Sequence, residues 1–262
     1  MNVIEGIGRV ATIEQAMAVL EALSGQPEGV AIAELERDLG LSKSALSRIL
    51  ATLQRDRYVS KDPATGRFKL AHKFMALVLR HIDTLGIDEL CGPILRKIAS
   101  QSGELVELAL VEHEEMRYIA RAEGRHRVRV ISPLGVDIPL HAYAAGKAWL
   151  AYLPQEDALR IALEGGLQKL TKNTIATIEA LQKELAAVRK QGFALNLEES
   201  DDGISSVAVP IFAGGRRSVV GALTLAGPAY RLPKPKLTAF VSGLQEAALE
   251  LSQVLPNSPI LN

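Results

Sequence analysis

Apolar residues recur at three- and four-residue spacing over the first part of the chain, a pattern that predicts three helices. Thr12 is expected to cap the first helix, and Gly40 is expected to end the second. Ser42 should cap the third helix, which runs to about Asp56. The buried stripe of the third helix is predicted to consist of Leu46, Ile49, Leu50 and Leu53.

Two short strand patterns follow at 58–61 and 67–70, separated by the turn-forming sequence Asp-Pro-Ala-Thr-Gly. The tight connection Gly-Leu-Ser joins the second and third predicted helices. Three helices and a hairpin in this order are typical of a winged helix-turn-helix. Residues 1–70 are therefore predicted to form such a domain.

Helix and strand patterns are mixed in the remainder of the chain, which predicts a sheet with helices packed against it. A linker helix is expected within 71–86, and a larger α/β domain within 87–262, so the chain is assigned to the α+β class. The predicted helices of this domain are 88–101, 145–153, 155–164, 175–191 and 234–254. The predicted strands are 105–111, 116–122, 127–132, 193–197, 204–212 and 218–226.

The composition excludes several classes of protein. The chain has 262 residues, is 48% hydrophobic and contains one cysteine, Cys91, so it has neither an internal disulfide nor a thiolate-rich metal site. We see no signal peptide at the N-terminus and no apolar run near the ~20 residues of a membrane-spanning helix. A cytoplasmic protein with no membrane contact and no cofactor is expected.

Charge is balanced over the whole chain, with 30 basic and 30 acidic residues, but not locally. Positions 42–80 contain nine Lys or Arg and two Asp. Such a one-sided basic surface suits phosphate neutralisation by a protein that binds double-stranded DNA. The residues predicted to contact DNA are Lys43, Ser44, Ser47, Arg48 and Arg55 on the third helix, and Thr65, Arg67 and Lys69 on the hairpin. A winged-helix module for protein interaction is the alternative.

Several segments in a fixed order resemble the IclR (isocitrate lyase regulator) family of bacterial transcription factors. In the first part they are LSKSALSRILATLQRDRYV and DPATGRFKL. In the second part they are PLHAYAAGKAWLAYLP, LAAVRKQGFALNLEES, GISSVAVPIF and VVGALTLAGPAYRL. The resemblance implies a GAF-like effector-binding domain after the winged helix, homodimers or tetramers on palindromic or repeated operators, and a small organic effector.

The resemblance also implies an effector site. Its residues would be Val130, Ala144, Ala145, Asn196, Ile204, Ser206, Thr224 and Ala226. Backbone N–H groups at the start of the predicted helix 145–153 suit an anionic group, and Asn196 offers a donor and an acceptor. Family members that bind small keto acids can carry a carboxylate at Asn196 and a serine at Ala226. The less charged, roomier site favours a larger carboxylate such as an aromatic acid.

An enzyme is the main alternative from another class. The five histidines have no metal-ligand spacing, and Ser205 and Ser206 lack the glycines of a nucleophile elbow. No catalytic residue and no metal ligand is therefore assigned. A scaffold protein without DNA binding is the third possibility, and the basic stretch at 42–80 argues against it.

Overall fold

The computed structural model describes residues 10–132, 134–212 and 218–255. The chain divides into two compact units, the first ending at Thr84 and the second beginning at Leu85. Both the helix-turn-helix arrangement of the first unit and the mixed helix and sheet structure of the second agree with the predicted α+β class.

The first unit contains three helices, a two-stranded antiparallel hairpin, and a fourth helix that follows the hairpin and ends one residue into the second unit. Its elements are α1 (Ala11–Leu23), α2 (Ile32–Leu39), α3 (Lys43–Arg55), β1 (Val59–Lys61), β2 (Phe68–Leu70) and α4 (His72–Leu85). Buried aliphatic residues from all three helices, among them Val19, Leu35 and Leu46, pack against Val59 and Phe68 of the hairpin. This core fixes the position of α3 against the other two helices.

Local side-chain bonds define the ends of these elements. Ser42 caps α3, because its hydroxyl accepts a hydrogen bond from the Ala45 N–H at 3.3 Å, as predicted. Asp62 orders the hairpin turn by accepting from the N–H of Ala64 at 2.8 Å. The prediction that Thr12 caps α1 was wrong, because the helix already begins at Ala11 and Val10 occupies the cap position.

The second unit is built on a five-stranded antiparallel sheet in the order β4-β3-β7-β6-β5. The strands are β3 (Leu105–Glu112), β4 (Glu115–Ala122), β5 (Ala194–Leu197), β6 (Ile204–Phe212) and β7 (Val219–Pro228). The helices are α5 (Ile87–Ser102), α6 (Ala144–Leu150), α7 (Gln155–Glu164), α8 (Ile178–Gln191), α9 (Lys234–Ala239) and α10 (Val241–Val254).

Helices cover both faces of the sheet and create two cores. On one face, α5 and α10 pack on Val106, Leu108 and Leu223. On the other face, α6 packs on smaller residues, including Ala109 and Ala208, and α8 packs on α6. Strand residues therefore alternate between two buried environments, and the small residues leave room for α6 to lie close to the sheet.

Two predicted elements differ from the structure. Residues 127–132 do not form a strand, and the carbonyls of Val128 and Ser132 accept hydrogen bonds from Arg231 and Arg121 instead. Pairing with β4 occurs further along, where Asp137 forms an isolated bridge with Arg117. The predicted helix 234–254 is interrupted after Ala239, which separates α9 from α10.

Candidate DNA-binding surface and effector site

The start of α3 presents a polar, basic surface to solvent. Lys43, Ser44, Ser47 and Arg48 are exposed, while Leu46 on the opposite side is fully buried. Serine side chains are short, so the helix backbone can approach base edges closely, and the longer Lys and Arg side chains can reach guanine or phosphate. This geometry is the one that a recognition helix needs in the major groove.

Arg67 plays a structural part in the wing. Its Nε donates to the Gly29 carbonyl at 3.0 Å, and its Nη2 donates to the Glu34 carboxylate at 2.8 Å. Glu34 also accepts from the N–H of Ala31 at 2.9 Å, and these contacts lower the pKa of its carboxyl. Arg67 therefore ties the hairpin to the start of α2, an interaction that competes with the predicted contact to DNA.

The remaining residues of the predicted DNA-contacting set differ in exposure. Thr65 is exposed in the hairpin turn, and Lys69 is half-buried with its stem beside Gly29. Arg55 at the end of α3 is paired with the neighbouring Asp56 at 3.1 Å, and both side chains are exposed. An exposed pair of this kind is weak, so a phosphate can readily replace the carboxylate.

Predicted effector residues from three strands lie on one face of the sheet. The pairing register places Asn196 opposite Ser206, and Ser206 opposite Ala226. Thr224 precedes Ala226 by two positions and Ile204 precedes Ser206 by two, so both share this face. The structure thus places these five residues on one face of the sheet.

The helix α6 begins with Ala144 and Ala145, both buried, and packs across β5, β6 and β7. Gly146 allows the segment before α6 to pass close to the helix, since a Cβ atom there would lie 2.3 Å from the Leu140 carbonyl oxygen. Val130 is half-buried in the irregular segment after β4. Its predicted place in a strand was wrong.

The amide of Asn196 is occupied within the protein. Its Oδ1 accepts from the N–H of Glu199 at 2.7 Å, and its Nδ2 donates to the Ser200 hydroxyl at 2.7 Å. The side chain therefore holds the loop after β5, and a ligand would have to displace these bonds to use it.

Two buried groups that the sequence analysis did not select also face this site. Glu107 lies directly opposite Thr224 in the β3–β7 register and is 2% exposed. Burial raises the pKa of its carboxyl to about 7, although Ser132 and Arg121 act in the opposite direction. Burial also raises the pKa of the Tyr118 hydroxyl, and the nearby Glu107 charge adds to the effect.

Lys147 on α6 was also missed, and it is completely buried. Its Nζ lies 2.7 Å from both carboxylate oxygens of Glu199 and 3.3 Å from Oε1 of Glu184. Burial raises the pKa of the Glu199 carboxyl, and the Lys147 charge opposes that rise. The ion pair joins the middle of α6 to the same loop that Asn196 holds.

A separate groove of about 460 Å³ lies between the outer end of β4 and α7. It includes none of the predicted effector residues. Two carboxylates on its rim are already neutralised, Glu114 by Arg160 at 2.7 Å and Asp137 by Arg117 at 2.7 Å. His141 at its base donates to the Gln168 carbonyl at 2.9 Å, which is a structural bond.

Family models match both units of the chain. The model of the bacterial transcriptional regulator IclR C-terminal domain matches residues 79–253, and that of the IclR helix-turn-helix domain matches residues 12–63. The chain belongs to the IclR family. It is therefore a transcriptional regulator with a DNA-binding helix-turn-helix and a ligand-binding C-terminal domain, as the sequence predicted.

Relatives of this IclR-type regulator are similar over nearly their whole length. The HTH-type transcriptional regulator XynR of Escherichia coli K12 is 32% identical over 247 residues, which are 94% of this chain and 97% of XynR. The crystal structure of an IclR transcriptional regulator from Alicyclobacillus acidocaldarius is 28% identical, with a TM-score of 0.82 over 94% of this chain and 99% of that one. These relatives are regulators, which confirms the prediction that the chain is not an enzyme.

The fold is shared with an IclR homologue from Microbacterium hydrocarbonoxydans, whose crystal structure contains 4-hydroxybenzoate. The two chains are 22% identical with a TM-score of 0.78, and the match covers 94% of this regulator and 100% of that chain. In the described part of the regulator, no cluster of three or more His, Cys, Asp or Glu residues could hold a metal ion. No helix there is long and apolar enough to cross a membrane.

Replacing Lys147 with methionine is expected to lower the free energy of unfolding of the second unit by about 3–5 kcal/mol, because the Glu199 carboxylate is left buried without its partner. Urea unfolding of the full chain, followed by the fluorescence of its single tryptophan, Trp149 on α6, measures this loss. Replacing Glu199 with leucine as well should recover most of the stability. Lys183→Met, at an exposed position, serves as the control. A double variant no more stable than Lys147→Met would contradict the conclusion that an unpaired Glu199 carboxylate causes the loss of stability.

The Glu107 carboxyl should make stability depend on pH. Its pKa rises from an ordinary 4.5 to about 7 on folding, so the folded chain binds this proton more tightly than the unfolded chain. The resulting stabilisation is complete below pH 4.5 and is lost as the pH rises to about 7, a change of about 3 kcal/mol. Glu107→Gln should therefore unfold at higher urea concentration than the unsubstituted regulator at pH 8, with a smaller advantage at pH 5.

The exposed Glu246→Gln is the matched control for Glu107→Gln, since it removes one carboxylate without touching a buried site. Its unfolding midpoint should follow that of the unsubstituted regulator at each pH. A constant difference between Glu107→Gln and the unsubstituted chain from pH 5 to pH 8 would show that Glu107 does not titrate in this range.

Proposed function

We propose that the protein controls a catabolic or metabolic operon in the cytoplasm by binding repeated operator DNA as a homodimer, in response to a small organic acid. The observation that carries the proposal is that each of the two units has a candidate site of its own. The exposed, basic start of α3 in the first unit suits DNA, and a buried polar face of the sheet in the second unit suits a small molecule.

Contact with DNA is assigned chiefly to Lys43, Ser44, Ser47 and Arg48, which lie together at the start of α3. The hairpin residues Thr65 and Lys69 are assigned to the neighbouring phosphates. Arg55 completes the DNA-contacting set at the other end of the helix. Arg67 acts mainly by fixing the wing through Glu34, so its loss would disturb the shape of the surface as well as its charge.

The effector is assigned to the sheet face below α6. Ser206 and Thr224 offer hydroxyls there, and Ala226 and Ile204 provide apolar contact. Amide N–H groups in the first turn of any helix have no partner within the helix, so those of Ala144 and Ala145 suit a carboxylate. That an IclR homologue of the same fold binds 4-hydroxybenzoate supports an acid of this size, including an aromatic one.

Exposed apolar residues support the homodimer. On α4, Met75, Leu79 and Ile82 are 53%, 58% and 44% exposed, and no residue of this helix is buried within the chain. On α1, Ile13 and Met17 are 58% and 55% exposed at a spacing that places them on one side of the helix. Apolar patches of this kind mark contact surfaces, and a second copy of the chain supplies the matching one.

Selection from a random duplex pool tests the regulatory function, carried out near physiological salt with and without mixed aliphatic and aromatic acids. We expect enrichment of one inverted or direct repeat, and a change in the amount bound when the acids are present. Arg48→Ala should weaken binding to the enriched sequence by about 5- to 150-fold, or 1–3 kcal/mol. Arg96→Ala on α5 is the matched control.

The effector response is tested on the same sequence with Ser206→Leu, which fills the site beside Ala226. This variant should bind DNA as the unsubstituted protein does and should no longer respond to the acids. Absence of any enriched repeat would contradict the DNA-binding function. A normal response of Ser206→Leu would place the effector elsewhere.

Leu79→Glu is expected to dissociate the homodimer, because it places a charge in the apolar contact proposed for α4. Sedimentation velocity should show a dissociation constant raised by about 100-fold or more, corresponding to about 2.7 kcal/mol. Thr84→Glu, at an exposed position near the end of the same helix, tests whether any added charge has this effect. A dimer of unchanged affinity in Leu79→Glu would exclude α4 from the interface.

A further inference from the structure

Two buried polar atoms in the proposed effector site lack a hydrogen bond of ordinary geometry. They are Oε1 of Glu107 and Oγ1 of Thr224. The two residues are 2% and 1% exposed and lie directly opposite each other on neighbouring strands. Facing side chains in such a pair have Cβ atoms about 5 Å apart, so one small group can contact both.

Buried polar groups in native proteins almost always have partners, because an unsatisfied one destabilises the folded state. Asn196 on the same sheet face obeys that rule, since it is bonded to Ser200 and Glu199. The hydroxyls of Ser132 and Tyr118 lie near Glu107 and Thr224 but form no bond of ordinary geometry with these two atoms. The pair therefore points to a group that is supplied from outside the chain.

We propose that the effector is a hydroxylated organic acid, and that a hydroxyl group remote from its carboxylate binds between Glu107 and Thr224. This inference rests on the proposed function, since it assigns the chemistry of the same effector site. The ligand hydroxyl donates to Oε1 of Glu107 and accepts from the hydroxyl of Thr224. Tyr118, whose buried hydroxyl lies near both residues, completes the polar end of the site.

A hydroxyl fits the surroundings of Glu107 better than an ammonium group. Arg121 is the cross-strand partner of Glu107 on β4 and already brings a positive charge to it. The other neighbours are the hydroxyls of Ser132, Tyr118 and Tyr143. A second cation would be repelled by Arg121, whereas a neutral hydroxyl needs no compensating charge.

An acid without a hydroxyl fits poorly at this end of the site. Its apolar carbon atoms would cover Oε1 of Glu107 and Oγ1 of Thr224 and prevent water from reaching them. Glu107 is not among the effector residues that the family resemblance implies, so it adds a polar contact that those residues do not provide. Hydroxylated aliphatic acids and hydroxylated aromatic acids share the required chemistry.

Calorimetric titration of the full-length regulator with matched acids tests the inference. Gluconate and hexanoate form the aliphatic pair, 4-hydroxybenzoate and benzoate form the aromatic pair, and 6-aminohexanoate supplies an ammonium group. We expect one hydroxylated acid to bind at least about tenfold more tightly than its hydroxyl-free partner. The pair that shows this difference identifies the effector as an aliphatic or an aromatic hydroxylated acid.

The substitutions Thr224→Val and Glu107→Leu should each reduce that preference to about threefold or less in the same titrations. Thr224→Val keeps the shape of the side chain, so it tests the inference even if Glu107→Leu disturbs folding. Thr238→Val makes the same chemical change on α9, which packs in the core on the opposite face of the sheet, and should keep the full preference. Equal binding of both members of each pair, tighter binding of 6-aminohexanoate, or no binding of any hydroxylated acid would overturn the inference.

Failure of this inference can be told apart from failure of the proposed function. In one outcome the acids bind, Ser206→Leu abolishes their binding, and the hydroxyl group makes no difference to affinity. This outcome would support the effector site and contradict the role of Glu107 and Thr224. In another outcome the preference for a hydroxyl group depends on Glu107 and Thr224, but binding to the operator never responds to the acid. This outcome would support the hydroxyl contact and contradict the regulatory function.

Discussion

The structure of the second unit depends on neutralising one buried cation. Lys147 lies in the middle of α6, and small residues bring that helix close to the sheet. An unpaired ammonium group there would cost several kcal/mol, so Glu199 must return to within 2.7 Å of it. The loop after β5 is therefore fixed, and Thr174 and Asn196 hold its backbone through bonds to Glu199.

This constraint divides the polar groups of the sheet face into two sets. Asn196 and Ser200 are bonded to each other and support the loop that carries Glu199. Glu107 and Thr224, further along the same face, have buried atoms without such partners. The register between β3 and β7 places these two residues opposite each other, and no bond between their side chains is needed to hold them there. The first set supports the scaffold, and the second remains available for recognition.

The sequence predicted what depends on local pattern, and it missed what depends on distant partners. Helix periodicity located α3, and strand patterns located the sheet, because burial repeats along each element. The alternation at 127–132 suggested a strand, but Arg231, a hundred residues away, satisfies the Val128 carbonyl. Arg67 was assigned to DNA as a basic residue of the hairpin, and its pair with Glu34, 33 residues away, has no local signal in the sequence. Glu107 gave one weak signal, an acidic residue inside an apolar strand, which carries weight only once the register places it beside Thr224.

A regulator responds to a ligand only if the ligand binds its alternative states with different free energies. A site that keeps a carboxyl and a hydroxyl buried without partners is less stable empty than filled, so the ligand favours the arrangement in which the sheet and α6 enclose it. Polar atoms satisfied by the protein itself, such as those of Asn196, contribute no such difference. The unsatisfied pair at Glu107 and Thr224 is therefore a direct physical source of the free energy that an effector can use to change the affinity of this protein for DNA.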